Sequence, residues 1–162
     1  MINENFKVTG AVVIRKNGEI VKEIPNTIVT TGKNGIASLI TGSGAAMTHM
    51  GVGTGTTGVV AGDTALETEV DRNALVTSGG VASTNTVEFE SVWNAGDGTG
   101  ALTEAGLFSA STGGTMLART VFSVVNKSAS DILTIIPASH FFLGLNPLSG
   151  LSDSKMRWIS LS

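Results

Sequence analysis

Gly53, Gly55 and Gly58, in the run MGVGTGTTGVV at residues 50–60, stand at the spacing G-x-G-x-x-G. That spacing belongs to loops that lead from a strand into a helix and hold a dinucleotide pyrophosphate on backbone N–H groups and the helix N-terminus. The chemistry therefore depends on the segment after the loop. The continuation VVAGDTALETEV meets Gly62 within four residues and leaves room for only one or two helical turns. A βαβ crossover needs a dozen or so residues, usually a helix, and then a second parallel strand. The Lys-Ser/Thr of a phosphate-binding P-loop is missing as well. No cofactor is predicted here, and a nucleotide-binding enzyme is the remotest functional reading.

Other residue types capable of chemistry are scattered. His49 and His140 lie far apart, each without His, Asp or Glu at ligand spacing, and both read as packing or backbone-bonding residues. Glu67 with Glu69, and Glu88 with Glu90, are i, i+2 pairs that share a strand face and repel, which marks solvent exposure rather than an acid–base dyad. Asp97 in AGDGTG lacks the alternating ligands and closing Glu of a calcium loop and reads as a turn. No G-x-S-x-G or S-x-x-K nucleophile pattern occurs, and the chain has no cysteine. No catalytic, cofactor-binding or metal-ligating residue is predicted.

The elements that would position any site are strands. Of 162 residues, 41% are hydrophobic and only 14% charged, against roughly 25% charged in ordinary domains. Gly, Thr, Ser and Asn carry the polarity, a composition of short strands and tight turns. The net charge of -3 offers no basic field for nucleic acid or an anionic membrane. No apolar run is long enough for a membrane-spanning helix. The N-terminus lacks the regions of a signal peptide, so synthesis in the cytoplasm is the expectation.

FKVTGAVVIRKNGEIVKEIPN predicts a hairpin turning at Asn17-Gly18 and ended by Pro25. Thr31 is placed as the cap of a short helix over Lys33 to Thr41, with Gly42 as its stop. A strand from MTHMGVGT runs into the glycine loop, and Asp63 then caps a further helical turn. VASTNTVEFESVWNA reads as one strand, with Val81, Val87, Phe89 and Trp93 on its buried face. LTEAGLFSA and TMLARTVFSVV form a hairpin around Thr112-Gly113-Gly114, and DILTIIPASHFFL is a last strand interrupted at Pro137. The sum predicts an all-β, mainly antiparallel single domain, a β-sandwich or jelly-roll-like fold with one or two short helices. It would occupy residues 1–145, with 146–162 as a C-terminal arm or edge segment.

Three stretches carry a resemblance: MTHMGVGTGTTGVVAGDTALETEVDR, LTEAGLFSASTGGTMLARTVF and VNKSASDILTI. They resemble a family of small tailed-bacteriophage virion structural proteins in which a G-x-G-T-x loop, a D-T-A-L-x-x-E turn, an E-A-G-L-F segment and an L-A-R-x-x-F strand recur in this order. The likeness runs from about Asn26 to Ile136. It implies a structural protein without enzymatic activity or cofactor, and it gives the motif residues architectural roles. Gly51, Gly53 and Gly55 would permit tight backbone paths. Asp63 and Thr64 would cap the short helix. Leu66, Leu107, Phe108, Leu117 and Phe122 would be core, and Glu104 and Arg119 would pair across a hairpin.

The function expected on this basis is a capsid decoration (cement) protein in the virion, a homotrimer bound to the major capsid protein lattice, with neither nucleic acid nor membrane as partner. The alternative is a tail component, such as a fibre, collar or baseplate-associated subunit involved in attachment. Interface candidates are Phe6 at one end and Met156, Arg157 and Trp158 at the other.

Overall fold

The computed structural model describes residues 4–145, with side chains described over residues 7–141. Its strands are β1 (Glu4–Lys16), β2 (Glu19–Ile28), β3 (His49–Gly53), β4 (Glu69–Ala74), β5 (Val81–Ser83), β6 (Thr86–Glu88), β7 (Ser91–Trp93), β8 (Gly100–Phe108), β9 (Met116–Lys127) and β10 (Leu133–Leu145). One helix, α1 (Thr30–Ile40), lies between β2 and β3. The all-β, antiparallel class predicted from the sequence is what the structure has.

The strands form one sheet in the order β4-β3-β8-β9-β2-β1-β10-β6-β5, with β7 also on β10. The sheet curls into a half-barrel, and β2 is its corner. Glu19 to Asn26 pair with β1, whereas Thr27 and Ile28 pair with Arg119 and Ala118 of β9. Curling brings distant strands together: Leu75, just past β4, bridges to Ser91 of β7, and the Val76 amide donates to the Glu90 carbonyl at 2.8 Å. The two faces of a sandwich are here one sheet wrapped around a shared core. Ile14, Met50, Trp93, Leu102, Leu133 and Ile135 are sealed in it, each contributing about 1.5–3 kcal/mol of hydrophobic stabilisation. Leu66, Leu107, Phe108, Leu117 and Phe122 are buried as predicted.

The Asn17-Gly18 turn is as predicted, both residues having the positive φ (52° and 88°) that a type I′ turn requires. Pro25, however, does not end β2, and Pro137 does not interrupt β10. Thr120 Oγ1 donates to the Pro25 carbonyl at 3.0 Å, so the ring nitrogen also faces β9, at a level where the β2–β9 ladder has not begun. The Pro137 carbonyl accepts from the Phe89 amide at 2.9 Å, in the gap between the β6 and β7 pairings. Each proline sits where no ladder donor is wanted.

The single strand predicted over VASTNTVEFESVWNA is three strands, β5, β6 and β7. Thr84 makes the first break by adopting φ 51°, which a β-branched residue rarely does and its type does not advertise. Phe89 and Trp93 are buried, but Val81 is exposed.

The helix also starts differently. Val29, in extended conformation, occupies the N-cap position without a side-chain cap. Thr31 caps nothing; its hydroxyl donates to the Met116 carbonyl at 2.9 Å and ties α1 to β9. The helix end is as expected, since Gly42 takes φ 73° and its amide donates to the Leu39 carbonyl. No helical turn follows Asp63: residues 54–68 are a loop from β3 to β4, and neither Asp63 nor Thr64 caps a helix.

Candidate functional site

The glycine loop grows out of β3 between its neighbours β4 and β8. Gly53 pairs with Glu104 of β8, whose side chain points into the hollow of the loop. Oε1 of Glu104 accepts from the amides of Gly55 (2.9 Å) and Thr68 (2.8 Å), and Oε2 from the amide of Glu67 (3.0 Å). A carboxylate of the chain itself thus takes the place that a phosphate would take in a dinucleotide site. Glu104 is 0% exposed, so no ligand reaches these amides while the loop is closed.

Arg119 of β9 supplies the counter-charge. In register it faces Gly106 and lies diagonally across the hairpin from Glu104. Its Nε donates to Glu104 Oε2 at 3.0 Å, and Nη2 approaches the same oxygen at 2.8 Å, outside hydrogen-bond angle. Nη1 donates to Asp63 Oδ2 at 2.8 Å, and Glu67 Oε2 lies 3.8 Å from Nη2. The predicted pair is therefore the centre of a larger cluster. Burial alone would depress the Arg119 pKa, but its hydrogen bonds to Asp63 and Glu104 outweigh this and raise it.

Three carboxylates surround this one guanidinium, and backbone amides balance the excess. Besides the three on Glu104, the Val60 amide donates to Asp63 Oδ2 at 3.1 Å and the Thr57 amide to Glu67 Oε2 at 2.8 Å. The Thr57 hydroxyl also donates to Glu67 Oε1 at 2.7 Å. These bonds, the hydroxyl's first, hold the Glu67 carboxyl below the usual carboxylate range.

The first two motif glycines are required by close approach. A Cβ on Gly53 would lie 2.4 Å from the Thr68 carbonyl oxygen, and one on Gly55 would lie 2.4 Å from Glu104 Oε1. Gly51 is packed against Leu66 and Phe108. Gly58 has open space around its Cα, so the third position of the pattern carries no steric demand. The match to G-x-G-x-x-G is a coincidence of two necessary glycines and one free one.

Beside this cluster, Arg72 stacks its guanidinium 3.5 Å from the Phe108 ring centroid and pairs with Glu69 at 2.6 Å. Its Nη1 donates to the carbonyls of Ala110 and Gly113, fixing the β8–β9 loop. The other sequence candidates stand apart from it. His49 Nδ1 bonds the Thr48 hydroxyl and His140 Nδ1 that of Thr86, on strands that do not pair with each other. Asp97 lies in a turn. Among the described residues, no group of three His, Asp or Glu could hold a metal ion. The Phe6 side chain, Met156, Arg157 and Trp158 lie outside the described residues.

Sequence reasoning missed two roles. Glu67 is exposed as expected, yet its carboxylate is engaged by the Thr57 amide and hydroxyl. Sequence reasoning also passed over Lys127, which is 2% exposed and donates to the carbonyls of Asn94 and Asp131 at 2.9 and 2.8 Å. Lys127 shares the parity of buried Val125 and not that of Phe122, because the β8–β9 register shifts between Leu102 and Glu104; Glu67 lies in a loop, where alternation carries no signal. Chemically, the Glu104 cluster binds the loop to the sheet; a sealed, fully bonded carboxylate has no access to a substrate proton. No family model matches this chain, and neither the curated proteins nor the solved structures yield a significant match.

Proposed function

We propose that the chain is a non-enzymatic structural protein of a tailed-bacteriophage particle, a decoration protein that binds the major capsid lattice as a homotrimer. The observation that carries this reading is where the motif words meet. Gly53 and Gly55 of the first word, Asp63 of the second, Glu104 of the third and Arg119 of the fourth all belong to one buried cluster. Leu66 and Phe108, from the second and third words, pack together in a small core beside it. The residues behind the family resemblance thus secure a loop to a sheet and leave no reactive group open, which suits a scaffold better than a catalyst.

The sparse charge also favours covering much of the surface in an assembly. The test is location: antibody labelling of intact particles, read by electron microscopy. Label over the head supports the proposal, label confined to the tail supports a fibre, collar or baseplate role instead, and particles without label overturn both. Deleting residues 147–162 is expected to lower occupancy on particles without unfolding the domain, and unchanged occupancy removes the C-terminal arm from the proposal.

A further inference from the structure

An apolar groove of about 230 Å³ opens beside α1. Ile36 and Leu39 of the helix form one wall, Val87 and Phe89 the other, and Met47 and Phe141 are also at its lining. The helix leaves apolar side chains open at this side: Leu39 is 43% exposed and its chain neighbour Ile40 80%. An amphipathic helix ordinarily turns such residues inward, and a groove that joins exposed apolar side chains is a place for something to bind.

We propose that this groove receives the chain's own C-terminal segment, residues 146–162, through Met156 and Trp158. Two observations favour that occupant. The first is reach. Phe141 lines the groove, and the segment follows Leu145, four residues further along β10. The eleven residues from Leu145 to Met156 can span roughly 35 Å when extended, against roughly 13 Å for the four residues of β10 back to Phe141.

The second is composition. MRWISL, at residues 156–161, brings Met156, Trp158, Ile159 and Leu161 within six positions, in a sequence with only two tryptophans. The other, Trp93, is sealed in the core. The pairing is a property of the chain and holds whether it belongs to a head, a tail or neither.

Because the sequence has no cysteine, the test is a disulfide between two introduced ones in the full chain. Leu39→Cys with Met156→Cys places one thiol at the groove and one in the segment. Ala37→Cys with Met156→Cys is the control: Ala37 is exposed on the same helix, about 160° round from Leu39. Both helix positions are exposed, so neither substitution disturbs the core. Docking is expected to make the Leu39 pair oxidise about tenfold faster or more than the control, because a bound segment raises the effective concentration of its thiol. A cross-link within one chain and a cross-link between two chains both support the groove as the docking site. Equal rates for the two pairs, or no cross-link in either, overturn it.

Discussion

Glu104 and Arg119 meet diagonally across the β8–β9 hairpin, with Nε 3.0 Å from Oε2 and both side chains withdrawn from solvent. A buried pair of this kind is costly to split, because the remaining charge has neither water nor partner. Glu104→Gln is therefore expected to lower stability by about 3 kcal/mol, the low end for breaking a buried pair, since the amide oxygen keeps some acceptor capacity. Glu104→Met with Arg119→Met should recover only part of the summed loss, because the amides of Gly55, Glu67 and Thr68 stay orphaned. Urea unfolding of the single variants and the double variant measures this. A Glu104→Gln chain as stable as the parent would mean the cluster does not hold the loop.

The two glycines that flank Thr56 and Thr57 should respond in opposite ways. Gly55→Ala drives a methyl group to 2.4 Å from Glu104 Oε1 and should cost about 1–3 kcal/mol. Gly58→Ala meets open space at a backbone angle that is not left-handed, and should be neutral or stabilising by up to about 1 kcal/mol. Thermal melts of the two variants distinguish this from a phosphate cradle, where both glycines would matter.

Nicotinamide and adenine nucleotides should leave the melting temperature unchanged. A ligand at 100 times its dissociation constant adds about 2.7 kcal/mol of stability. A clear upward shift with NAD or ATP at millimolar concentration would show that the loop opens and exchanges Glu104 for a phosphate.

Acid should act first on the carboxylate ties outside the core. Asp131 accepts hydrogen bonds from Asn17 (2.8 Å) and from the Ser128 hydroxyl and amide, with Lys16 at 3.0 Å, and these hold its carboxyl well below the usual range. Glu67 is depressed as well. A carboxyl with a lowered folded pKa contributes stability above its unfolded pKa, about 4 for both residue types, and loses it as pH falls through the folded value. Melting temperature should thus be flat from neutral pH to about 5 and fall below about 4. Asp131→Asn should melt lower than the parent at pH 7, with the gap narrowing below pH 4. A gap independent of pH would remove the charge from this account.

The sequence made some of this legible for definite reasons. Asn17-Gly18 is legible because few dipeptides tolerate two positive φ values in succession. Glu104 with Arg119 is legible because the hairpin's turn residues place the two words opposite each other. The remaining members of the cluster are not. Which backbone amides converge on a carboxylate is decided by a loop path, and no residue type encodes the amides of Glu67 or Thr68. Asp63 precedes a stretch that could begin a helix, yet its carboxylate is taken by Arg119 and the Val60 amide, and the helix never forms. Pro25 and Pro137 mislead for a related reason: a proline ends a strand only where the neighbour needs its N–H, and that is a fact of topology.

The curl of the sheet closes between Leu75 and Ser91 on a single bridge, reinforced by the Val76 amide, by the Ser91 hydroxyl on the Ala74 carbonyl at 3.1 Å and by the Asn73 side chain on the Val92 carbonyl at 3.0 Å. A closure of so few bonds is where the fold breathes, and the amide of Val76, which bridges it, should exchange with deuterium sooner than those in the middle of β1. Val76 and Phe89 stand on either side of this weak line, and Phe89 also lines the apolar groove. Whatever fills the groove therefore lies along the line of opening, and in holding Phe89 it slows the whole wrap from coming undone.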